Sequence, residues 1–109
     1  MTPHGQLIKD KNIMKLLTQA NRKALPPLYA NENKNEPKAI VKFFTPDANW
    51  TWYATEFDGV DTFFGLIDGH EKELGYFSLS ELQSVRGGLG LPVERDRWFS
   101  PTPISKLKG

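Results

Sequence analysis

Apolar positions along the chain change their period near residue 39. Before it, Leu16, Leu17, Ala20, Ala24, Leu25 and Leu28 can line one face of a helix, and Thr18 stands as a favourable N-cap ahead of Gln19. This pattern predicts a short helix over residues 19–25, which Pro26-Pro27 must end because proline disfavours the helical region in the residue before it. Residues 1–13 are polar without sustained periodicity and read as a flexible arm, with Met14 as an alternative start. Residues 31–38 carry no apolar side chain and read as an exposed loop.

Beyond residue 39, β-branched and aromatic residues gather in short runs separated by turn residues, which is a strand pattern. It predicts four strands, at residues 39–45, 50–57, 62–66 or 68, and 73–78. The connections at 46–49, 58–61 and 69–72 are too short for a parallel crossover, so consecutive strands must be antiparallel neighbours in a meander. Ser80 followed by Gln83 suggests a capping box and a second helix over residues 81–85 or 86, with Gly87 in the left-handed position after it. Trp98 and Phe99 can dock on the sheet, while Pro101 and Pro103 bar a helix or a central strand there. The expected fold class is α+β: a four-stranded antiparallel meander sheet with short N-terminal and C-terminal helices packed on it. One domain spans residues 14–103, between the arm (1–13) and a frayed tail (104–109).

Strand alternation does not leave one clean polar face. Val41, Phe43, Phe63, Ile67 and Phe77 share one parity, Ile40, Phe44, Phe64, Leu66, Leu74 and Tyr76 the other, and Trp50 and Trp52 fall opposite Tyr53 and Phe57. Such a sheet is covered on both sides or leaves an aromatic face for a partner. Burial is the usual fate of aromatic rings, so the first helix is expected on one face and the second helix with the Trp98-Phe99 tail on the other.

A hydrophobic share of 39% in 109 residues supplies one core. No run approaches the roughly 18 apolar residues of a membrane span, the N-terminal residues lack the apolar stretch of a secretory signal, and cysteine is absent, so a cytoplasmic protein without membrane contact is expected. Charge is segregated. Residues 1–38 carry seven Lys/Arg against three Asp/Glu, residues 39–94 three against nine, and residues 95–109 four against one. An acidic middle disfavours a phosphate backbone and favours a basic protein surface.

The candidate chemistry is sparse. Glu56, Asp58 and Asp61 surround one hairpin turn, and Asp68, Glu71 and Glu73 surround another beside His70, which is the residue type a cation site or an acid–base pair needs; Asp-Gly is above all a turn signal, however. No Glu-x-Lys follows Pro46-Asp47 as in metal nucleases. Gly87-Gly88-Leu89-Gly90 follows a helix instead of opening one, so it does not aim amides at a phosphate. Ser78 and Ser80 lack a His-Asp framework. No catalytic residue, metal or cofactor is expected.

Three runs resemble a family of small bacterial proteins of unknown function: Val41-Lys42-Phe43-Phe44-Thr45-Pro46-Asp47, Asn49-Trp50-Thr51-Trp52-Tyr53-Ala54-Thr55-Glu56-Phe57-Asp58-Gly59, and Glu73-Leu74-Gly75-Tyr76-Phe77-Ser78-Leu79-Ser80-Glu81-Leu82. Met14-Lys15-Leu16-Leu17-Thr18 is similar to that family's usual beginning, and Ser84-Val85-Arg86-Gly87 with Leu89-Gly90-Leu91-Pro92-Val93-Glu94-Arg95-Asp96 extends the likeness almost to the end. Members are carried mainly by plasmids, integrative elements and phages, so the resemblance implies an accessory role in a mobile element and supplies no catalytic residues.

Charge and resemblance together lead to a non-enzymatic interaction protein that binds a basic surface on a host defence or nucleic-acid-processing protein, anti-CRISPR-like in its logic, through Glu56, Asp58, Asp61, Asp68, Glu71 and Glu73. The alternative is single-stranded nucleic-acid binding, with Trp50, Trp52, Tyr53 and Tyr76 stacking on bases and Arg95 and Arg97 at phosphates. A metal-dependent enzyme using the Glu56 hairpin ranks third.

Overall fold

The computed structural model describes residues 16–32 and 36–109, so the expected arm over residues 1–13 lies outside the described residues. Helix α1 (Gln19–Ala24) begins as its sequence requires: Thr18 Oγ1 accepts the Asn21 N–H and Asn21 Oδ1 accepts the Thr18 N–H, each at 3.0 Å. None of its own residues is buried, but Leu16, Leu17 and Leu25 at its flanks are. Its flanks anchor it, and within it Arg22 lies over the Phe57 ring at 5.5 Å and donates to the Gly59 carbonyl at 3.3 Å.

A five-stranded antiparallel sheet follows, in the order β5-β4-β3-β2-β6, from β2 (Val41–Phe44), β3 (Thr51–Phe57), β4 (Thr62–Asp68), β5 (Lys72–Ser78) and β6 (Glu94–Arg95). The expected count of four is corrected by β6, which returns alongside β2 with Phe43 opposite Arg95 and is fastened by the Asp96 N–H to the Lys42 carbonyl at 2.9 Å. The expected first strand also divides. Its start, β1 (Lys38–Ala39), leaves the sheet to pair with β7 (Thr102–Pro103), a position open to proline because only a two-residue ladder is made there.

Helix α2 (Leu79–Ser84) starts two residues before the expected position. Ser78, not Ser80, is the N-cap: its Oγ accepts the Glu81 N–H and Glu81 Oε1 accepts the Ser78 N–H, both at 3.1 Å. A charged acceptor at the third helical position outcompetes the Gln83 amide that the alternative box needs. Gly87 is not left-handed either. It is required because the Asp47 carboxylate, which takes the Leu89 N–H at 2.6 Å, occupies the space a Cβ would fill.

The expected frayed tail is helix α3 (Ile104–Lys108). Ile104 is buried against Ala39 and Leu66, and its N–H donates to the Pro37 carbonyl at 3.0 Å, so the tail is pinned by apolar contact and by backbone pairing.

The pairing of β3 with β4 slips between Ala54 and Glu56, leaving Thr55 as an extra residue. Before the bulge, Trp52 and Ala54 face the main core; after it, Phe57 does too, although its parity is opposite. Phe57 stacks on Phe63 at 4.5 Å, Phe63 on Phe77 at 5.2 Å, and Phe43 meets Phe63 at 5.5 Å. Leu16, Leu17 and Leu25 around α1 and Leu79 and Leu82 of α2 close this same face. The expectation of one helix per face is therefore corrected. The opposite face carries a smaller cluster of Ala39, Leu66 and Ile104 with Tyr53, Phe99 and Leu107. Phe99 docks there at 5.9 Å from Tyr53, but Trp98 is 87% exposed and does not dock. No helix among the described residues is long and apolar enough to cross a membrane.

Phe63 sits at the centre of the ring stack with no exposure. Phe63→Ala is expected to cost about 3–5 kcal/mol in chemical denaturation, while Trp98→Ala stays within roughly 0.5 kcal/mol of the unchanged protein.

Candidate functional site

The bulge that aligns Phe57 with the core turns Glu56 to the other face. There Thr55 and Glu56 of β3, Phe64 of β4, and Leu74 and Tyr76 of β5 line a groove of about 450 Å³, to which the chain after α1 adds Tyr29, Asn31 and Glu32 and the α3 region adds Glu36, Ser105 and Lys108. Three carboxylate residues and one lysine thus belong to the lining. The Thr55 hydroxyl is committed to the Phe64 carbonyl at 2.9 Å.

Glu56 organises the groove. It is 4% exposed, and its two oxygens accept the Tyr29 N–H at 2.8 Å and the Asn31 N–H at 3.0 Å. Tyr29 is held at a φ of 71°, a region that costs a non-glycine residue about 1–2 kcal/mol, so the Glu56 bonds compensate a strained turn. The Tyr76 phenol is pushed above its ordinary value of 10.0, first by a hydrogen bond with Tyr29, then by desolvation and by the charges of Tyr29, Glu56 and Glu32. Phe64 meets Tyr76 edge-on at 5.0 Å. The Asn31 side-chain nitrogen is buried without an acceptor among the described residues.

The six carboxylates singled out in the sequence do not form one surface. Glu56 is internal. Asp58 Oδ1 accepts the N–H groups of Val60, Asp61 and Thr62 at 2.8, 2.8 and 3.0 Å, and these bonds hold its carboxyl below its ordinary value. Asp61 accepts the Ser80 N–H and hydroxyl, both at 2.8 Å, joining the hairpin to α2. Asp58 is exposed and Asp61 half-buried, so this hairpin stays at the surface while both of its carboxylates are engaged in local bonds. Glu71 and Glu73 are exposed and Asp68 half-buried at the other end of the strands, where Lys72 Nζ reaches the Leu107 carbonyl at 2.9 Å.

The four aromatic residues of the nucleic-acid reading are likewise separated. Trp52 is buried in the main core with Trp50 stacked on it at 6.0 Å. Tyr53 lies on the opposite face beside Phe99, and Tyr76 lies in the groove. They offer no common stacking platform. Arg95 and Arg97 flank Asp96, which pairs with Lys42 at 3.7 Å. Among the described residues, no three His, Asp or Glu side chains are grouped to hold a metal ion.

Residues 7–107 match the model of a family described as a protein of unknown function, DUF2958. The chain belongs to that family. The DUF2958 match takes in α3 except Lys108 and begins within the segment read as an arm. No curated protein and no solved structure matches the chain.

Of the groove residues, only Glu56 and Tyr76 stood out in the sequence. Tyr29, Asn31, Glu32 and Glu36 belong to polar or proline-bounded chain with no period to mark it, and Ser105 and Lys108 to a short tail with two apolar residues, Ile104 and Leu107. The signal within reach was Leu74 and Tyr76, two large residues of one parity flanking Gly75 on a strand whose other parity carries Phe77.

Glu56→Gln replaces one of two acceptors with a donor facing the backbone N–H groups, with an expected loss of about 1–3 kcal/mol and faster amide exchange at Tyr29 and Asn31. Tyr29→Phe removes the phenol partner of Tyr76, so Tyr76 should ionise at lower pH in an absorbance titration. Asp58 carries the opposite pH dependence. Its folded-state pKa is depressed, so its contribution is complete above the ordinary value of 3.8 and lost as pH falls through the lower folded value. Asp58→Asn should flatten that acid limb.

Proposed function

We propose that this protein is a non-enzymatic interaction module that seats a basic segment of a partner protein in the acidic, aromatic groove over β3, β4 and β5. The observation that carries this reading is the lining itself: Glu32, Glu36 and Glu56 against Lys108, interleaved with Tyr29, Phe64 and Tyr76. Carboxylates attract a Lys or Arg head, aromatic faces add a cation–π component, and apolar walls take up the aliphatic stem. A volume of about 450 Å³ lies in the range of small-ligand sites and accommodates a side chain or two. Among the described residues the lining includes no histidine or cysteine, and its Thr55 hydroxyl is already donated, which supports binding over catalysis.

The residue runs shared with proteins of plasmids, integrative elements and phages support a mobile-element accessory acting in the cytoplasm. In that setting the partner is a host defence or nucleic-acid-processing protein, whose basic nucleic-acid surface supplies the segment. Relative to the hairpin carboxylates, the contact moves to Glu32 and Glu36 because these adjoin the aromatic lining; Asp58 and Asp61 are engaged in local bonds away from it, while Glu36 gives one oxygen to the Ser105 N–H at 3.2 Å.

The test is an NMR titration with a synthetic peptide alternating Lys and Thr, a Glu-Thr peptide as control and an oligothymidylate in parallel. Shifts at Tyr29, Asn31, Leu74, Tyr76 and Ser105 with the Lys-Thr peptide alone are expected, and Glu32→Lys with Glu36→Lys should weaken binding at least tenfold. Salt-sensitive oligothymidylate binding centred on Trp50, Arg95 or Arg97, without a peptide response in the groove, would reverse the reading in favour of nucleic acid.

A further inference from the structure

The groove lies beside the open side of β5. Among the described residues that strand has β4 as its one ladder partner and ends the sheet. Which of its backbone groups point outward follows from one bond: the Leu79 N–H donates to the Asp61 carbonyl at 2.8 Å, in the position that continues the pairing of Thr62 with Ser78. Hydrogen-bonded and non-bonded pairs alternate along an antiparallel ladder. The bonded pairs are therefore Phe63 with Phe77, Gly65 with Gly75 and Ile67 with Glu73, and the groups of Lys72, Leu74, Tyr76 and Ser78 turn away from β4. Ser78 agrees with this assignment, since its N–H is taken by Glu81 Oε1 rather than by β4.

Ser78 is thus closed by its own helix cap, whereas among the described residues no strand pairs with the outward groups of Lys72, Leu74 and Tyr76. Sheets usually blunt their edges with proline, a bulge or brevity. The other edge of this sheet, β6, is two residues long. β5 is seven residues long, contains no proline and pairs in register with β4 throughout, and its Leu74 and Tyr76 are 48% and 54% exposed. The same two residues line the acidic groove, so backbone edge and side-chain groove are one continuous surface.

We propose that β5 is a strand-addition edge: an extended segment of the partner protein pairs its backbone with Leu74 and Tyr76 and directs every second side chain, Lys or Arg, over the groove toward Glu32 and Glu36. Residues directly opposite one another in a ladder share a face. The two partner residues set against Leu74 and Tyr76 therefore lie on the groove side, two positions apart, and the residue between them points to the other face. Strand spacing of roughly 4.8 Å places their Cβ atoms at the groove rim, within reach for a long cationic side chain. The ladder supplies affinity and the alternate cations supply selectivity. This mode rests on the groove reading and adds to it a backbone register that a side-chain pocket alone does not need.

The test uses the full chain with the alternating Lys-Thr peptide and two modifications that remove backbone donors. Leu74→Pro deletes an N–H that points away from β4, and Leu74→Ala removes the leucine side chain beyond Cβ while keeping that N–H. Leu74→Pro should lose at least tenfold in affinity where Leu74→Ala loses no more than about threefold, both retaining the native circular dichroism. Should Leu74→Pro disturb the fold, N-methylating alternate residues of the peptide tests the same bonds from the other side: one methylation frame should abolish binding and the other leave it. Equal affinity in both frames, with binding still lost in the Glu32→Lys and Glu36→Lys protein, overturns strand addition and leaves the groove intact as a side-chain site. Indifference to the charge reversals as well overturns the groove reading itself. A concentration-dependent dimer in sedimentation that Leu74→Pro dissociates, with no peptide competition, assigns the edge to a second copy and also overturns the proposal.

Discussion

One extra residue in β3 decides how the two faces of this sheet are used. Without Thr55 out of register, Trp52 and Phe57 would point to opposite sides, and the ring stack Phe57-Phe63-Phe77 would lose its first member. With it, both lie in the main core and Glu56 is carried to the opposite face. Gly65 stands across from the bulge, where a Cβ would strike the Tyr53 carbonyl. The slip and the glycine are thus two parts of one accommodation, in which a close backbone approach is tolerated so that apolar and acidic side chains separate.

The main face then follows from apolar burial. Aromatic rings from four strands pack together and are closed by leucines from the two flanks of α1 and from α2, a contribution far larger than that of any hydrogen bond nearby. The other face is closed only in part. Ile104, Leu107 and Phe99 cover Leu66 and Ala39, but Phe64, Leu74 and Tyr76 stay at the groove. The short chain after α1 is what turns this uncovered stretch into a concave site, and it is fixed there by two backbone donors on a buried carboxylate.

Carboxylates in this protein divide into clasps and free charges. Asp47, Asp58, Asp61 and Glu56 each accept backbone or hydroxyl donors across a turn or between elements, because turns and loop junctions leave N–H groups without ladder partners. Glu81 performs the same task at the start of α2. What remains for a partner among the described residues is Glu32 and Glu36 at the groove, Glu36 with one oxygen on the Ser105 N–H at 3.2 Å, then Glu71 and Glu73 at a strand end and Glu94 on β6. Only the first pair adjoins both an aromatic lining and an unpaired strand edge, and that conjunction gives the groove its functional weight.

The α+β class, the helix before Pro26, the antiparallel order of the four main strands and their turns were legible in the sequence, because each depends on local terms: proline geometry, β-branched runs and connections too short for a crossover. Long-range pairing was not legible. β6 joins β2 and β7 joins β1 through two-residue ladders whose partners lie about fifty or more positions away, and nothing in Glu94-Arg95 or Thr102-Pro103 announces them. Nor did alternation reveal the bulge, since a period of two carries no mark of the residue at which it slips. The role of Glu56 depended on that slip, and the groove depended on Glu56. The sequence by itself determined the four long strands, their turns and the Thr18 cap; only the tertiary structure decided the short ladders and which face each side chain took, because these are set by register between distant segments and by the one residue that breaks it.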